Sequence, residues 1–297
     1  MNQPQLTLQW AVAEPEQDQL LRDFLKCKDI SKRSLTHIKY DGGKIEVNGV
    51  ESTVRRKLAK GDEVKITFPV EKRSRTLKGE PIQLDVLYED DWVLVINKPP
   101  YMNTIPSREH PFGSVANAIT GKYELQNYPG AVHIATRLDR DTSGIMLVAK
   151  HTHAHHLISK MQQGGSVHRF YTAIVHGRIN PPEGVICSPI GRKNSSIIER
   201  EVREDGQKAI THYKTIISRP DITVVQLKLE TGRTHQIRVH LQSIGHPIMG
   251  DDLYGGRQEL ISRQALNCSE LNFIHPFTGL PMTFKVPLPE DMHALLS

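Results

Sequence analysis

Cysteine is scarce in this chain of 297 residues, and the three present, Cys27, Cys187 and Cys268, stand far apart with no CxxC pair. This spacing excludes a disulfide framework and a cysteine-based zinc site, and it fits a reducing compartment. No apolar run approaches the ~20 residues that a membrane span needs, and the N-terminus lacks the basic and apolar stretches of a signal peptide. We therefore expect a soluble, cytoplasmic protein.

Internal repeats and biased tracts are also absent, and 38% hydrophobic with 24% charged residues indicates a globular protein rather than a disordered or fibrous one. The chain is long enough for two domains, since a domain commonly has ~100–150 residues. The 38 Lys and Arg residues outnumber the 33 Asp and Glu residues, which gives a net charge of +5. This excess is compatible with a polyanionic partner but does not require one.

The N-terminal segment predicts two short helices followed by a hairpin. Apolar residues recur at helical spacing over residues 20–25, and Ser31 can cap a second helix. Asn48-Gly49 supplies the positive φ angles of a tight turn, and apolar alternation over residues 64–68 predicts a closing strand. We expect the two helices to open the chain.

A polar, aperiodic stretch from Glu71 to Pro81 is typical of a linker. We place a small α/β domain at residues 1–72, the linker at 73–84 and a larger domain at 85–297. Both the small and the larger unit mix helices with strands.

The larger domain combines buried strands with amphipathic helices. Residues 92–97 and 144–149 read as buried strands, and apolar residues at helical spacing precede Gly164, which ends that helix. A second helix covers Ile237 and its neighbours and ends at Gly245. Strands outnumber helices, which favours an α+β fold.

The densest group of reactive side chains lies between His133 and Gly144. It holds Arg137, Asp139 and Arg140 just before a buried strand, and loops held by a rigid strand commonly carry reactive groups. Composition alone also allows Asp139 to cap a turn while the arginines face water.

A second group spans Thr231 to His240, where a strand passes through Gly232 into a helix N-terminus. Backbone donors and Arg233 there favour an anion, either a phosphate or the carboxylate of Asp139. The alternative is a surface helix whose Arg238 and His240 face water.

These segments resemble a known family. RLDRDTSG at Arg137–Gly144 resembles the RLDxxTSG signature of RluA-type pseudouridine synthases, and RTHQIRVH at Arg233–His240 is similar to that family's second signature. The resemblance covers about residues 85–290 and implies a mixed, largely antiparallel sheet with flanking helices. The chain departs from the family at Thr136 and Asn267, where relatives commonly have His.

The resemblance implies an enzyme that isomerises uridine in RNA without a metal or cofactor. Asp139 would be the nucleophile or the base, and Arg233 would pair with it and favour its ionised form. Tyr171 would stack on uracil with its hydroxyl near carbon 5, above an apolar floor at Ile237. Arg137 would fill the gap left by the extruded uridine or hold its splayed neighbours.

The segment at about 16–70 resembles a small RNA-binding domain named after a small-subunit ribosomal protein. This implies phosphate contacts by basic residues. The candidates are Lys26, Lys28, Lys32, Arg33, Arg55, Arg56 and Lys57. Ribosomal RNA is favoured over transfer RNA as the partner because of this added domain, and we expect a monomer.

Three other interpretations compete with this one. His151 and His155 have the i, i+4 spacing of metal ligands, but no Glu lies between them, so a solvated helix face is favoured. A non-catalytic RNA-binding or ribosome-assembly protein would lack Asp139, Tyr171 or Arg233, yet all three are present. A serine hydrolase is disfavoured because Ser143 lacks a GxSxG motif.

Overall fold

The structure, a computed structural model, describes residues 5–297, which form two large hydrophobic cores. One core takes its side chains from residues 8–68 and the other from residues 84–296. The segment between Phe68 and Leu84 contains no helix or strand. No helix within the described residues has the length and apolar character needed to cross a membrane.

The N-terminal unit is a four-stranded antiparallel sheet in the order β1-β4-β2-β3 with two helices. Its elements are β1 (Thr7–Ala11), α1 (Leu21–Cys27), α2 (Lys32–Tyr40), β2 (Lys44–Val47), β3 (Val50–Glu51) and β4 (Glu63–Thr67). The expectation that helices open the chain is wrong, because β1 precedes them. This strand has no fully buried residue, so only its pairing with β4 identifies it.

The other local predictions for this unit are confirmed. Ser31 caps α2, with its Oγ accepting a hydrogen bond from the backbone N–H of Ser34 at 3.0 Å. Asn48 and Gly49 have φ angles of 55° and 76°, as a tight hairpin turn requires. The turn joins β2 to β3.

The larger unit is built on a ten-stranded sheet. Its central order is β10-β13-β14-β9-β15-β8-β6-β5, with β16 beside β15 and β7 beside β8. Its strands are β5 (Asp85–Glu89), β6 (Val93–Lys98), β7 (His133–Ile134), β8 (Ser143–Ala149), β9 (His168–His176), β10 (Glu183–Ile186), β13 (Thr211–Ser218), β14 (Ile222–Leu229), β15 (Leu266–Ile274) and β16 (Pro281–Lys285). A separate hairpin pairs β11 (Ile190–Arg192) with β12 (Arg200–Val202).

Helices flank this sheet: α3 (Val115–Leu125), α4 (Thr152–Gln163), α5 (Gln236–Ser243) and α6 (Glu290–His293). Within the described residues the β15–β8 pair is parallel and the other strand pairs are antiparallel. The mixed, largely antiparallel α+β fold expected from the sequence is confirmed.

The parallel junction of β8 and β15 depends on a glycine. All seven residues of β8 are buried, and Gly144 lies opposite Cys268 with a φ of 111°. A Cβ at Gly144 would lie 2.3 Å from the carbonyl oxygen of Cys268. Only glycine lets these two backbones pair so closely.

Two histidines at the start of α4 are buried, so the expected solvated helix face is wrong for them. The Nδ1 of His151 accepts the backbone N–H of Ala154 at 3.1 Å and caps the helix. The ring of His153 stacks on Phe68, with the centroids 5.2 Å apart. The N-terminal unit covers His153, whereas Trp92 and Phe277 of the larger unit pack against His151, and the helical pattern alone could not indicate these contacts.

We expect Gly144→Ala to lower the free energy of unfolding by ~3 kcal/mol or more, because it adds a backbone clash to an unfavourable φ. Urea unfolding measures the loss. Gly165→Ala is the control, since its φ is 73° and no atom lies within 4 Å of the added Cβ, so it should cost ~1–2 kcal/mol. Equal losses in the two variants would contradict the role given to Gly144.

We also expect a pH-dependent stability caused by buried His153. Burial lowers its pKa to about 4, whereas an unfolded histidine titrates near ~6.5. Between these values the unfolded chain binds the extra proton, so stability falls as the pH is lowered. His153→Phe should reduce the slope of unfolding free energy between pH 6 and 4.5 by up to ~1.4 kcal/mol per pH unit. An unchanged slope in urea titrations across this range would refute the assignment.

Candidate active site

The loop between β7 and β8, residues 135–142, carries Asp139 and is held by its backbone carbonyls. Lys98 Nζ donates to the carbonyl of Arg140 at 2.9 Å. Thr104 Oγ1 donates to the carbonyl of Leu138 at 2.7 Å. Lys98 is fully buried, and this burial lowers its pKa to about 7.

The C-terminal part of the chain holds the same loop from the other side. Arg263 Nη1 donates to the carbonyl of Asp141 at 3.1 Å, and Gln264 Nε2 donates to Thr142 Oγ1 at 3.1 Å. The Arg263 side chain is itself fixed by two hydrogen bonds to Asp291 in α6, at 2.6 and 2.8 Å. The position of Asp139 is therefore set by two distant parts of the sequence.

The carboxylate of Asp139 faces Arg238 from helix α5, with Arg238 Nη1 3.5 Å from Asp139 Oδ2. Arg238 also makes two hydrogen bonds of 2.7 Å to the buried carboxylate of Asp251. Burial alone would lower the pKa of Arg238, but the hydrogen bonds and charge of Asp251 raise it above its usual value. A permanent positive charge therefore lies beside Asp139.

The expected ion pair between Arg233 and Asp139 is wrong. Arg233 precedes α5, and its Nε donates to the carbonyl of Lys208 at 3.0 Å. The first turn of α5 directs Arg238 towards the loop instead. The alternative in which Arg238 and His240 face water is also wrong, because they are 7% and 0% exposed.

His235 is a second neighbour of Asp139, with its Nε2 3.9 Å from Asp139 Oδ2. Its Nδ1 lies 2.8 Å from Tyr254 Oη, which also accepts the backbone N–H of Arg200. Nδ1 of His235 is therefore held by Tyr254, and Nε2 faces Asp139 in whichever tautomer the neutral ring adopts. Burial lowers the pKa of His235 and favours this neutral form.

A pocket opens above Asp139. The sequence-predicted residues Arg137, Asp139, Tyr171, Arg233 and Ile237 all line it. Its apolar side includes Leu138, Leu229 and Leu266.

Tyr171 contributes a buried ring to this pocket and is 4% exposed. Its Oη lies 3.5 Å from Arg169 Nη1. Burial raises the pKa of Tyr171, while the charge of Arg169 opposes this shift, so the phenol is neutral at pH 7.

Four of the basic candidates in the N-terminal unit, Lys32, Arg33, Arg55 and Arg56, lie outside this pocket. Lys32 and Arg33 occupy the first turn of α2 and are exposed. Arg55 is exposed before β4, and Arg56 lies 3.8 Å from Asp62.

Thr136 and Asn267, the two positions at which the sequence departs from the family pattern, both form hydrogen bonds within the protein. Thr136 Oγ1 accepts the backbone N–H of Leu147 at 2.8 Å, and Asn267 Oδ1 accepts the hydroxyl of Ser143 at 2.8 Å. Both residues are buried. They therefore join the loop and β15 to strand β8.

Sequence reasoning missed Arg238, His235 and Arg169 as members of the site. Arg238 lies between Ile237 and Val239, which are both buried, and this apolar neighbourhood was the available signal. Nothing in the spacing identified Asp251 as its partner. Within residues 5–297 no group of three or more His, Cys, Asp or Glu side chains is arranged to bind a metal ion.

Comparisons with known proteins point to one family. A family model described as RNA pseudouridylate synthase matches residues 92–243. A protein of Bacillus subtilis named uncharacterized RNA pseudouridine synthase YjbO is 55% identical over 267 residues, covering 90% of this chain and 94% of that protein. The ribosomal large subunit pseudouridine synthase D of Vibrio parahaemolyticus is 38% identical over 285 residues, covering 90% and 86%.

Solved structures share the fold at lower identity. Human RNA pseudouridylate synthase domain containing 4 aligns with a TM-score of 0.58 and 22% identity, over 71% of this chain and 93% of that one. Human RNA pseudouridylate synthase domain containing 1 aligns with a TM-score of 0.56 and 24% identity, over 70% and 85%.

We expect Arg238→Met to lower the free energy of unfolding by ~3–5 kcal/mol, because the buried carboxylate of Asp251 loses its partner. Chemical denaturation at pH 7 measures the loss. Lys60→Met is the control, since it breaks an exposed ion pair with Glu14 and should cost less than ~1 kcal/mol. A loss below ~1 kcal/mol for Arg238→Met would show that the buried pair contributes little.

Proposed function

The chain belongs to the RNA pseudouridylate synthase family as a member of the RluA type, and from this premise we propose that Asp139 opens the glycosidic bond of a uridine in large-subunit ribosomal RNA. The enzyme is an RNA pseudouridine synthase. Its reaction breaks the bond from ribose carbon 1′ to uracil N1 and forms a bond from carbon 1′ to carbon 5. The proton on carbon 5 is lost and N1 takes up a proton.

The position of the Asp139 carboxylate is the observation that carries this proposal. Its side chain is 29% exposed at the base of the pocket, and Arg238 approaches Oδ2. Oδ1 makes no hydrogen bond to the residues that the structure describes, so it can reach a sugar carbon. Asp139 then attacks carbon 1′ or removes the proton from carbon 2′ to give a glycal.

Tyr171 and Ile237 suit a flat, uncharged base. We assign Tyr171 the role of stacking on uracil, because its ring lines the same pocket as Asp139. Ile237 is 4% exposed and provides apolar surface beneath the base. Arg137 is exposed at the mouth of the pocket, where it can occupy the space that an extruded uridine leaves.

The N-terminal unit would extend the contact with RNA. Lys32, Arg33 and Arg55 are exposed there and make no ion pair within the described residues, so they can meet phosphates. Ribosomal RNA is favoured as the target because relatives at 38% identity are named ribosomal large subunit pseudouridine synthase D. We place the enzyme in the cytoplasm, since Cys27 and Cys187 are exposed free thiols, and we propose that it acts as a monomer.

Release of tritium from RNA labelled at carbon 5 of uridine tests this proposal. The substrates are separated ribosomal and transfer RNA from cells that lack this enzyme. We expect release from ribosomal RNA by the wild type, and Asp139→Asn to reduce it by at least ~10³-fold. Asp91→Asn, at an exposed turn, is the control and should retain full activity.

Release from transfer RNA alone would overturn the ribosomal assignment while leaving the role of Asp139 intact. Wild-type rates in Asp139→Asn would overturn the catalytic assignment. Tight RNA binding without any release would instead support a non-catalytic RNA-binding protein.

A further inference from the structure

A second cleft lies beside the catalytic pocket, between the β11–β12 hairpin and the segment that leads into α5. We call it the flanking cleft. Arg192, Arg200, Gln207 and the segment Gly232–Thr234 line it. Gly232 and Arg233 also line the catalytic pocket, so the two cavities share a wall.

Arg233 stands on this shared wall with most of its donors unused. Its Nε donates to the carbonyl of Lys208, but its two Nη groups make no hydrogen bond or ion pair within residues 5–297. Its side chain is exposed. A guanidinium whose Nε is bound to the protein and whose two Nη groups are free suits a ligand with several acceptor oxygens.

Arg192 and Arg200 place two more positive charges at the cleft. They are directly opposite each other in the register of β11 and β12. Like charges in this position repel and destabilise a hairpin, because their Cβ atoms are only ~4.5–5.5 Å apart. An anion between them would remove that cost.

Nearby carboxylates do not neutralise these arginines. Asp205 lines the cleft, but both of its oxygens accept hydrogen bonds from Arg203, at 2.5 and 2.8 Å. Glu199 is paired with Lys193 at 2.6 Å. The cleft therefore keeps an uncompensated positive charge next to the pocket that receives the uridine.

We propose that the flanking cleft binds the phosphate backbone of the substrate RNA beside the target uridine, with Arg192, Arg200 and Arg233 as its ligands. This inference rests on the pseudouridine synthase activity. A nucleotide in the catalytic pocket is joined to its neighbours through phosphates, and a strand leaving that pocket past Gly232 enters the cleft. Arg233 thus binds a phosphate rather than Asp139.

The affinity for RNA and its salt dependence test this proposal. The variants Arg192→Gln and Arg200→Gln remove one charge each, and Arg192→Lys keeps it. Arg178→Gln is the matched control. Arg178 is exposed and follows the C-terminal end of β9, whereas Tyr171 lies in the N-terminal half of that strand. Filter binding gives Kd at several KCl concentrations, and tritium release gives KM and kcat on the same RNA.

We expect each Gln variant to weaken RNA binding about fivefold to tenfold, and to reduce the slope of log K against log salt by ~0.7–0.9. The value of kcat at saturating RNA should stay within about twofold. Arg192→Lys should keep the wild-type salt slope, and Arg178→Gln should match the wild type throughout.

Thermal unfolding separates this role from a structural one. Arg192→Gln should raise Tm by ~1–2 °C, because it relieves the repulsion from Arg200. Wild-type Kd and salt slope in both Gln variants would overturn the proposal, as would a fall in kcat with Kd unchanged. Tritium release by the wild type from ribosomal and from transfer RNA tests the ribosomal target separately. Either proposal can therefore fail while the other holds.

Discussion

The hydrogen bonds to the carbonyls of the Asp139 loop are the constraint on which the rest of the site depends. Buried side chains from β6, from the segment after it and from the segment before β15 donate to the carbonyls of Arg140, Leu138 and Asp141 respectively. These bonds act on backbone atoms, so the loop is held while Oδ1 of the carboxylate makes no hydrogen bond within the described residues. A catalytic carboxylate needs this combination of fixed position and unoccupied oxygen, since misplacement by about 1 Å can cost ~100-fold in rate.

Three arginines place positive charge at the two neighbouring cavities, and they differ in how their donors are bound within the protein. Arg238 is buried and bound to Asp251, so it presents a fixed charge to Asp139. Arg169 places its positive charge beside Tyr171, with Nη1 3.5 Å from the tyrosine hydroxyl. Arg233 is tied to the protein through one nitrogen and faces both cavities, so it can serve a ligand. The arginines that contact Asp139 and Tyr171 thus differ from Arg233, whose two Nη groups have no partner within residues 5–297.

Much of the local structure followed from the sequence, because its signals are local. The Asn48-Gly49 turn, the Ser31 cap and the buried strand at residues 144–149 each depend on a few adjacent residues. The gathering of Asp139 and Tyr171 in one pocket was expected from the family motifs.

The remaining features depend on contacts between distant parts of the chain. Whether Arg233 or Arg238 meets Asp139 depends on where α5 begins, which follows the left-handed turn at His235. The burial of His153 depends on Phe68 from the other unit. Strand β1 can be recognised as a strand only from its pairing with β4. No periodicity within a short window contains this information.

The order of the strands also affects how the enzyme is made. Strand β15 lies between β8 and β9 although it is synthesised about a hundred residues later, and Arg263 and Asp291 come from the same late part of the chain. A nascent chain that contains Asp139 but not yet the segment before β15 therefore lacks the hydrogen bonds that Arg263 and Gln264 donate to this loop. The loop that carries Asp139 is fully supported only once the segment from Arg263 to α6 has folded against it.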